Sequence, residues 1–137
     1  LYFRQCAIEV TTDDLAVMGT TIACGGANPR TGRRVFSQEV AQRLLSVMTT
    51  CGMYDAAGDW VTAVGMPAKS GVGGGILAVL PGQLGIGVYS PRLDEHGNSV
   101  RGTAACERIS QAMDLHFARG PRPSKRTVRS IHSSTGV

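Results

Sequence analysis

The segment Lys69-Ser70-Gly71-Val72-Gly73-Gly74-Gly75 concentrates the chemistry of this 137-residue chain. Four glycines in positions 71–75 let the backbone come close to a bound group, because glycine has no Cβ to collide. Lys69 adds a cation and Ser70 a hydroxyl. Backbone N–H groups, an ammonium and a hydroxyl together suit a carboxylate or a developing oxyanion. Two better-known glycine motifs do not fit. The dinucleotide fingerprint needs a third glycine where Ile76 stands. The phosphate loop needs glycines where Ala63 and Ala68 stand. The same glycines also suit a turn into a strand with no chemistry, so the loop alone leaves both readings open.

The elements around the loop point to an α+β chain. Thr11 or Thr12 caps an expected helix over 12–24, with Asp13 and Asp14 at its positive end and Leu15, Met18 and Ile22 at helical spacing. Gly25-Gly26 stops it. Ser37 caps a second helix, ending near Gly52, with Val40, Leu44, Val47 and Met48 as its expected apolar face. Gly58-Asp59 reads as a turn, and Trp60 to Val64 as a strand. Ala68–Ser70, Ile76–Leu80 and Leu84–Tyr89 read as further strands, the last two joined by Pro81-Gly82-Gln83. Leu93 to Asn98 is a polar loop. Ser99 caps a last helix with Ala104, Ala105, Ile109, Ala112, Met113 and Leu115 as its apolar face. Helices then cover an antiparallel sheet.

Composition narrows the function classes. The length fits one domain or part of a larger one. Eighteen glycines are nearly twice the ordinary share of about 7%, which favours tight turns over long helices. The net charge of +4 is local. Residues 118–137 hold five of the 14 basic residues and no acid, leaving nine basic against ten acidic elsewhere. This basic segment is rich in Pro and Ser and is expected to be a disordered tail. It carries no interleaved aromatics, so nucleic acid is not an expected partner. Cys6, Cys24, Cys51 and Cys106 form no Cys-x-x-Cys pair and read as reduced core thiols in a cytoplasmic protein. The three histidines lack metal-ligand spacing, and no metal or other cofactor is expected. No apolar run of membrane-spanning length occurs, so no membrane association is expected. The chain begins at Leu1 in an apolar-aromatic segment, and upstream residues are expected.

Many blocks of the chain resemble one family. They include Tyr2-Phe3-x-Gln5-Cys6, Asp14-Leu15-Ala16-Val17-Met18, Gly25-Gly26-x-Asn28-Pro29 and Cys51-Gly52-Met53-Tyr54-Asp55. Pro67-Ala68-Lys69-Ser70-Gly71-Val72-Gly73-Gly74, Ser90-Pro91-x-Leu93-Asp94 and Gly97-Asn98-Ser99-Val100 continue the series. Together they are similar to the C-terminal portion of the serine-dependent glutaminases of bacterial and mitochondrial type, over residues 1–117. The resemblance implies part of a serine β-lactamase-like fold. It also implies an amidohydrolase that converts L-glutamine to L-glutamate and ammonia without a cofactor, working as a homo-oligomer.

In that family a Ser-x-x-Lys motif supplies the nucleophile, because a hydroxyl needs a nearby base to attack. The only lysines here are Lys69 and Lys125, and Met66 and Arg122 stand three residues before them. The chain is therefore expected to be inactive by itself. Residue by residue, the resemblance implies a catalytic and substrate-binding role for Tyr54, and substrate contacts for Tyr2 and Val72. Val72 would act through its N–H. Lys69, Ser70 and Gly71 are possible supporting groups, and Ser70 is rejected as a nucleophile. A different reading makes the chain a non-catalytic module that docks onto a full-length glutaminase subunit.

Overall fold

The computed structural model describes residues 1–119. The expectation of a disordered basic tail therefore falls almost wholly outside the described residues. Five helices and three strands are formed: α1 (Tyr2–Cys6), α2 (Thr12–Ala23), α3 (Gln38–Cys51), α4 (Ala57–Ala63), β1 (Ala68–Ser70), β2 (Gly75–Leu80), β3 (Leu84–Tyr89) and α5 (Val100–Met113). A 3-10 turn, Tyr54–Ala56, joins α3 to α4. The fold is α+β, as the sequence implied.

The sheet is antiparallel with order β1-β2-β3. Ala68 pairs with Ala78, and Ala78 with Ile86. Strand alternation sends β2 residues to two different layers. Ile76, Ala78 and Leu80 join Met53, Trp60, Val64, Met66 and Cys106 in one core cluster. Leu77 and Val79 meet Ile22, Ala23, Leu45 and Met48 in a second. One face of the sheet thus carries α2 and α3, and the other carries α4 and α5.

Glycine on alternate positions of β3 lets α2 lie against the strand backbone. A Cβ at Gly85 would stand 2.2 Å from the Thr20 nitrogen, and one at Gly87 would stand 2.3 Å from the Thr12 oxygen. Helix α2 itself starts at a reciprocal cap. The Thr11 hydroxyl accepts from the Asp14 N–H at 3.1 Å, while the Thr11 N–H donates to the Asp14 carboxylate at 2.8 Å. That backbone bond, followed by the Thr11 hydroxyl, holds the Asp14 carboxyl below its ordinary pKa. Ser37 and Ser99 cap α3 and α5 one way only, their hydroxyls accepting from the Val40 and Gly102 N–H groups.

Four expectations need correction. Gly58 to Ala63 is helical, neither turn nor strand, because Ala57, Trp60 and Val64 reach the core at spacings of three and four residues. The Trp60 indole then donates to the Met66 carbonyl at 2.7 Å. Helix α3 is rotated: Ala41 and Met48 are buried, whereas Val40, Leu44 and Val47 are exposed. The fully buried side of α5 is built from small residues, Gly102, Cys106 and Ser110; of the expected face Ile109 packs partly buried against the core and Leu115 is buried past the helix end, whereas Ala104, Ala112 and Met113 are exposed. Finally, only Cys106 is a core thiol; Cys6, Cys24 and Cys51 are exposed.

The contact between α2 and β3 makes a contrast in glycine substitutions. Gly85→Ala is expected to destabilise the chain by about 1–3 kcal/mol, because backbone rather than a flexible side chain blocks the new methyl. Gly58→Ala, which meets nothing within 4 Å, is expected to be neutral or stabilising by up to about 1 kcal/mol. Thermal unfolding of the two variants measures both.

Candidate active site

Strand β1 has two different edges. One pairs with β2. On the other, the Ser70 N–H donates to the Gly52 carbonyl at 2.9 Å, so the end of α3 is tied to the strand. Gly52 has ordinary helical backbone angles, and its value is space. A Cβ there would fall 1.7 Å from the Ala68 oxygen.

The chain then turns sharply. Tyr54 has φ of +54°, one of two non-glycine residues in the left-handed region among the described residues. Such a conformation costs on the order of 1–3 kcal/mol and persists only where the surroundings impose it. Here it carries the phenol back to β1, where the Tyr54 hydroxyl donates to the Ser70 carbonyl at 3.4 Å. The Lys69 Nζ sits 4.6 Å from the centre of the Tyr54 ring, within cation–π range, and also donates to the Ser70 carbonyl. Tyr54, Lys69 and Ser70 therefore form one cluster.

The glycine loop follows directly. The Gly71 N–H donates to the Gly75 carbonyl, and the Gly74 N–H to the Gly71 carbonyl, both at 2.9 Å. Gly74 has φ of +96°, and a Cβ there would lie 2.3 Å from the Ser90 oxygen. This turn leaves Val72 at its tip, 75% exposed. Among the described residues the Val72 N–H has no acceptor. The Ser70 side chain is buried, and its Oγ has no hydrogen-bond partner among the described residues.

A groove of about 660 Å³ borders the cluster, lined in part by Lys69, Ser70, Gly71, Gly73, Thr11 and Tyr89. Tyr54 and Val72 stand outside this groove. So does Tyr2, which lies on α1, is exposed, and stacks edge-on with Phe3 at 6.0 Å. The structure thus brings together Tyr54, Lys69, Ser70, Gly71 and the tip bearing Val72, but not Tyr2. Among the described residues no group of three or more acidic, His or Cys side chains could hold a metal ion. No described helix is long and apolar enough to cross a membrane.

Sequence reasoning gave no role to Asn98. Its side chain is buried, and its Nδ2 donates to the Met53 carbonyl at 3.2 Å, directly before Tyr54. Gly97 and Ser99 around it marked a turn and a cap, but contact across 45 residues leaves no local trace.

Residues 1–117 match the glutaminase family model. The chain belongs to the glutaminase family. Glutaminase 1 of Bradyrhizobium diazoefficiens is 60% identical over 117 residues, covering 85% of this chain and 19% of that protein. Among solved structures, Mglu matches with a TM-score of 0.82 and 58% identity, covering 88% of this chain and 30% of that one. The Bacillus subtilis glutaminase YbgJ, solved as a covalent complex with 5-oxo-L-norleucine, matches with a TM-score of 0.81 and 41% identity. That match covers 85% of this chain and 42% of that one. The chain thus spans well under half the length of these relatives. Its α+β architecture is part of the serine β-lactamase-like glutaminase fold.

No cysteine lines the groove beside Lys69 and Ser70. Burial pushes the Cys106 thiol up to about 11, far from a working thiolate. Iodoacetamide at pH 8 is expected to label Cys6, Cys24 and Cys51 in the folded chain and to reach Cys106 only in denaturant. Peptide mass mapping of the labelled protein distinguishes the two classes.

Proposed function

We propose that this chain forms the tyrosine and oxyanion side of a glutaminase active site, which hydrolyses L-glutamine to L-glutamate and ammonia. One observation carries the reading: the Tyr54 phenol and the unengaged Val72 N–H flank the Ser70 end of β1, in a chain of the glutaminase family.

The chemistry divides between this chain and a serine that it does not contain. A serine hydroxyl, freed of its proton by a lysine, attacks the side-chain amide carbon. Charge moves onto the amide oxygen, where an N–H at the tip of the glycine loop is suited to receive it. Collapse of that intermediate breaks the C–N bond. The Tyr54 phenol supplies the proton that lets nitrogen leave as ammonia, and water then cleaves the acyl-serine to give glutamate. Covalent capture of YbgJ by 6-diazo-5-oxo-L-norleucine supports a nucleophile in the complete enzymes of this family.

Lys69 has a supporting role in this reading. Its ammonium lies against the Tyr54 ring and the Ser70 carbonyl, and it makes the surroundings favourable to anionic groups. Tyr2 belongs to the same proposal as a substrate contact. Its exposure in the described chain requires that substrate or further protein complete its surroundings. The proposal includes a cytoplasmic setting and assembly with further copies; the exposed side chains of Val40, Leu44 and Val47 are compatible with such assembly.

Two measurements test the reading. The isolated chain is expected to release no ammonia from glutamine, since neither lysine lies three residues after a serine. Turnover abolished by Ser70→Ala would overturn the rejection of Ser70 as nucleophile. In a complete glutaminase bearing this chain, made by joining it to the amino-terminal part of Mglu, Tyr54→Phe is expected to lower kcat by about 10²–10⁴-fold. KM should stay nearly constant, because the ring still fills its place. A normal kcat with raised KM would make Tyr54 a binding residue only.

A further inference from the structure

We propose that Asn98 is a positioning residue for Tyr54, acting through the peptide that joins Met53 to Tyr54. This rests on the reading of Tyr54 as the proton donor. The Asn98 Nδ2 donates to the Met53 carbonyl at 3.2 Å, and both side chains are about 1% exposed. The Met53 carbonyl also accepts from the Ala56 N–H at 3.2 Å, closing the turn that contains Tyr54. Fixing this carbonyl fixes the peptide plane, and the plane sets the direction in which the left-handed Tyr54 leaves the chain. A flipped Asn98 amide would set its oxygen against the carbonyl oxygen, so only one orientation works.

The backbone of Asn98 is held firmly, while its side-chain Oδ1 has no hydrogen-bond partner among the described residues. The Asn98 N–H donates to the Asp94 carboxylate at 2.8 Å, and the Asp94 N–H donates to the Asn98 carbonyl at the same distance. The Asp94 carboxylate also accepts from the His96 N–H at 3.0 Å. Val100 closes the loop by donating to the Arg92 carbonyl at 3.0 Å. Gly97, with φ of +87°, faces the tyrosine itself: a Cβ there would meet the Tyr54 Cε2 at 3.6 Å. The 92–100 loop therefore touches Tyr54 twice, at its leading peptide through Asn98 and at its ring beside Gly97. Neither contact is available to the reacting atoms, so the effect on chemistry must pass through the placement of the phenol.

A double-mutant cycle in the Mglu-joined enzyme separates positioning from general stability. Asn98→Asp keeps the shape and, where ionised, sets an oxygen that cannot donate against the Met53 carbonyl. It is expected to lower kcat by roughly 10–10²-fold with little change in KM, the size of effect that an ångström-scale misplacement produces. In a Tyr54→Phe background the same substitution should cost nothing further, because the phenol it positions is gone. Asp94→Ala changes an exposed side chain, and loosens Asn98 without emptying a buried site. It should show a smaller kcat loss that also disappears in the Tyr54→Phe background, and it carries the test if Asn98→Asp does not fold. A kcat unaffected by either variant, or losses that add fully to that of Tyr54→Phe, would overturn the positioning role alone. A Tyr54→Phe enzyme with normal kcat would instead remove the reading of Tyr54, and the role assigned to Asn98 with it.

Discussion

The close approach of Gly52 to strand β1 is the contact on which the site depends. No side chain larger than hydrogen fits there, since a Cβ would overlap the Ala68 carbonyl. The approach allows the Gly52 carbonyl to accept from the Ser70 N–H, so the end of α3 satisfies the strand edge that β2 does not. Two residues later Tyr54 is within reach of the same strand. Helix, strand and tyrosine are thus held by a single short segment, and the glycine loop begins where that segment ends. Moving α3 outward by the radius of a methyl group would part the Tyr54 hydroxyl from the Ser70 carbonyl.

The sheet explains why so small a set of strands can hold this arrangement. The β2 side chains from Ile76 to Leu80 divide between two clusters, one under α2 and α3 and the other under α4 and α5, with only Leu77 partly exposed. The first cluster fixes α3 through Met48 and Leu45, and so fixes Gly52. The second contains Met53, with a side chain buried against Trp60 and Ile76. The two residues before Tyr54 are therefore both anchored, Gly52 against the Ala68 carbonyl of β1 and Met53 in the core, which is the kind of over-determination that a left-handed tyrosine requires. On β3, glycine at 85 and 87 admits α2, while Ile86 and Val88 face the other layer.

Local signals made much of this legible in the sequence. Capping residues Thr11, Ser37 and Ser99 marked three helix starts, and Pro81-Gly82 marked the hairpin between β2 and β3. The glycine loop and the family blocks marked the site. What was misread depends on tertiary packing. Trp60 to Val64 alternates loosely enough to resemble a strand, but Trp60 needs a hydrogen-bond partner and finds it at Met66, which a helix permits. On α3 the larger apolar residues, Val40, Leu44 and Val47, drew attention away from Ala41. The buried residues of α3 are Ala41 and Met48, seven positions apart on one face, with Leu45 partly buried between them. The α5 helix repeats this pattern with Gly102, Cys106 and Ser110. Hydrophobic size is a poor guide wherever an element packs at glycine distance.

The packing of β1 gathers groups of one chemical kind at its edge. Its cluster offers donors: a phenol, an ammonium, and N–H groups at the tip of a glycine loop. On the proposed reading Lys69 acts as one of these donors, held by the Tyr54 ring and the Ser70 carbonyl. Ser70 is buried at the edge of the groove, and no lysine stands three residues after it. A site of donors stabilises charge that another group creates. On the proposed reading, the attacking electron pair comes from a serine outside the cluster, and the β1 edge holds the donors that answer it.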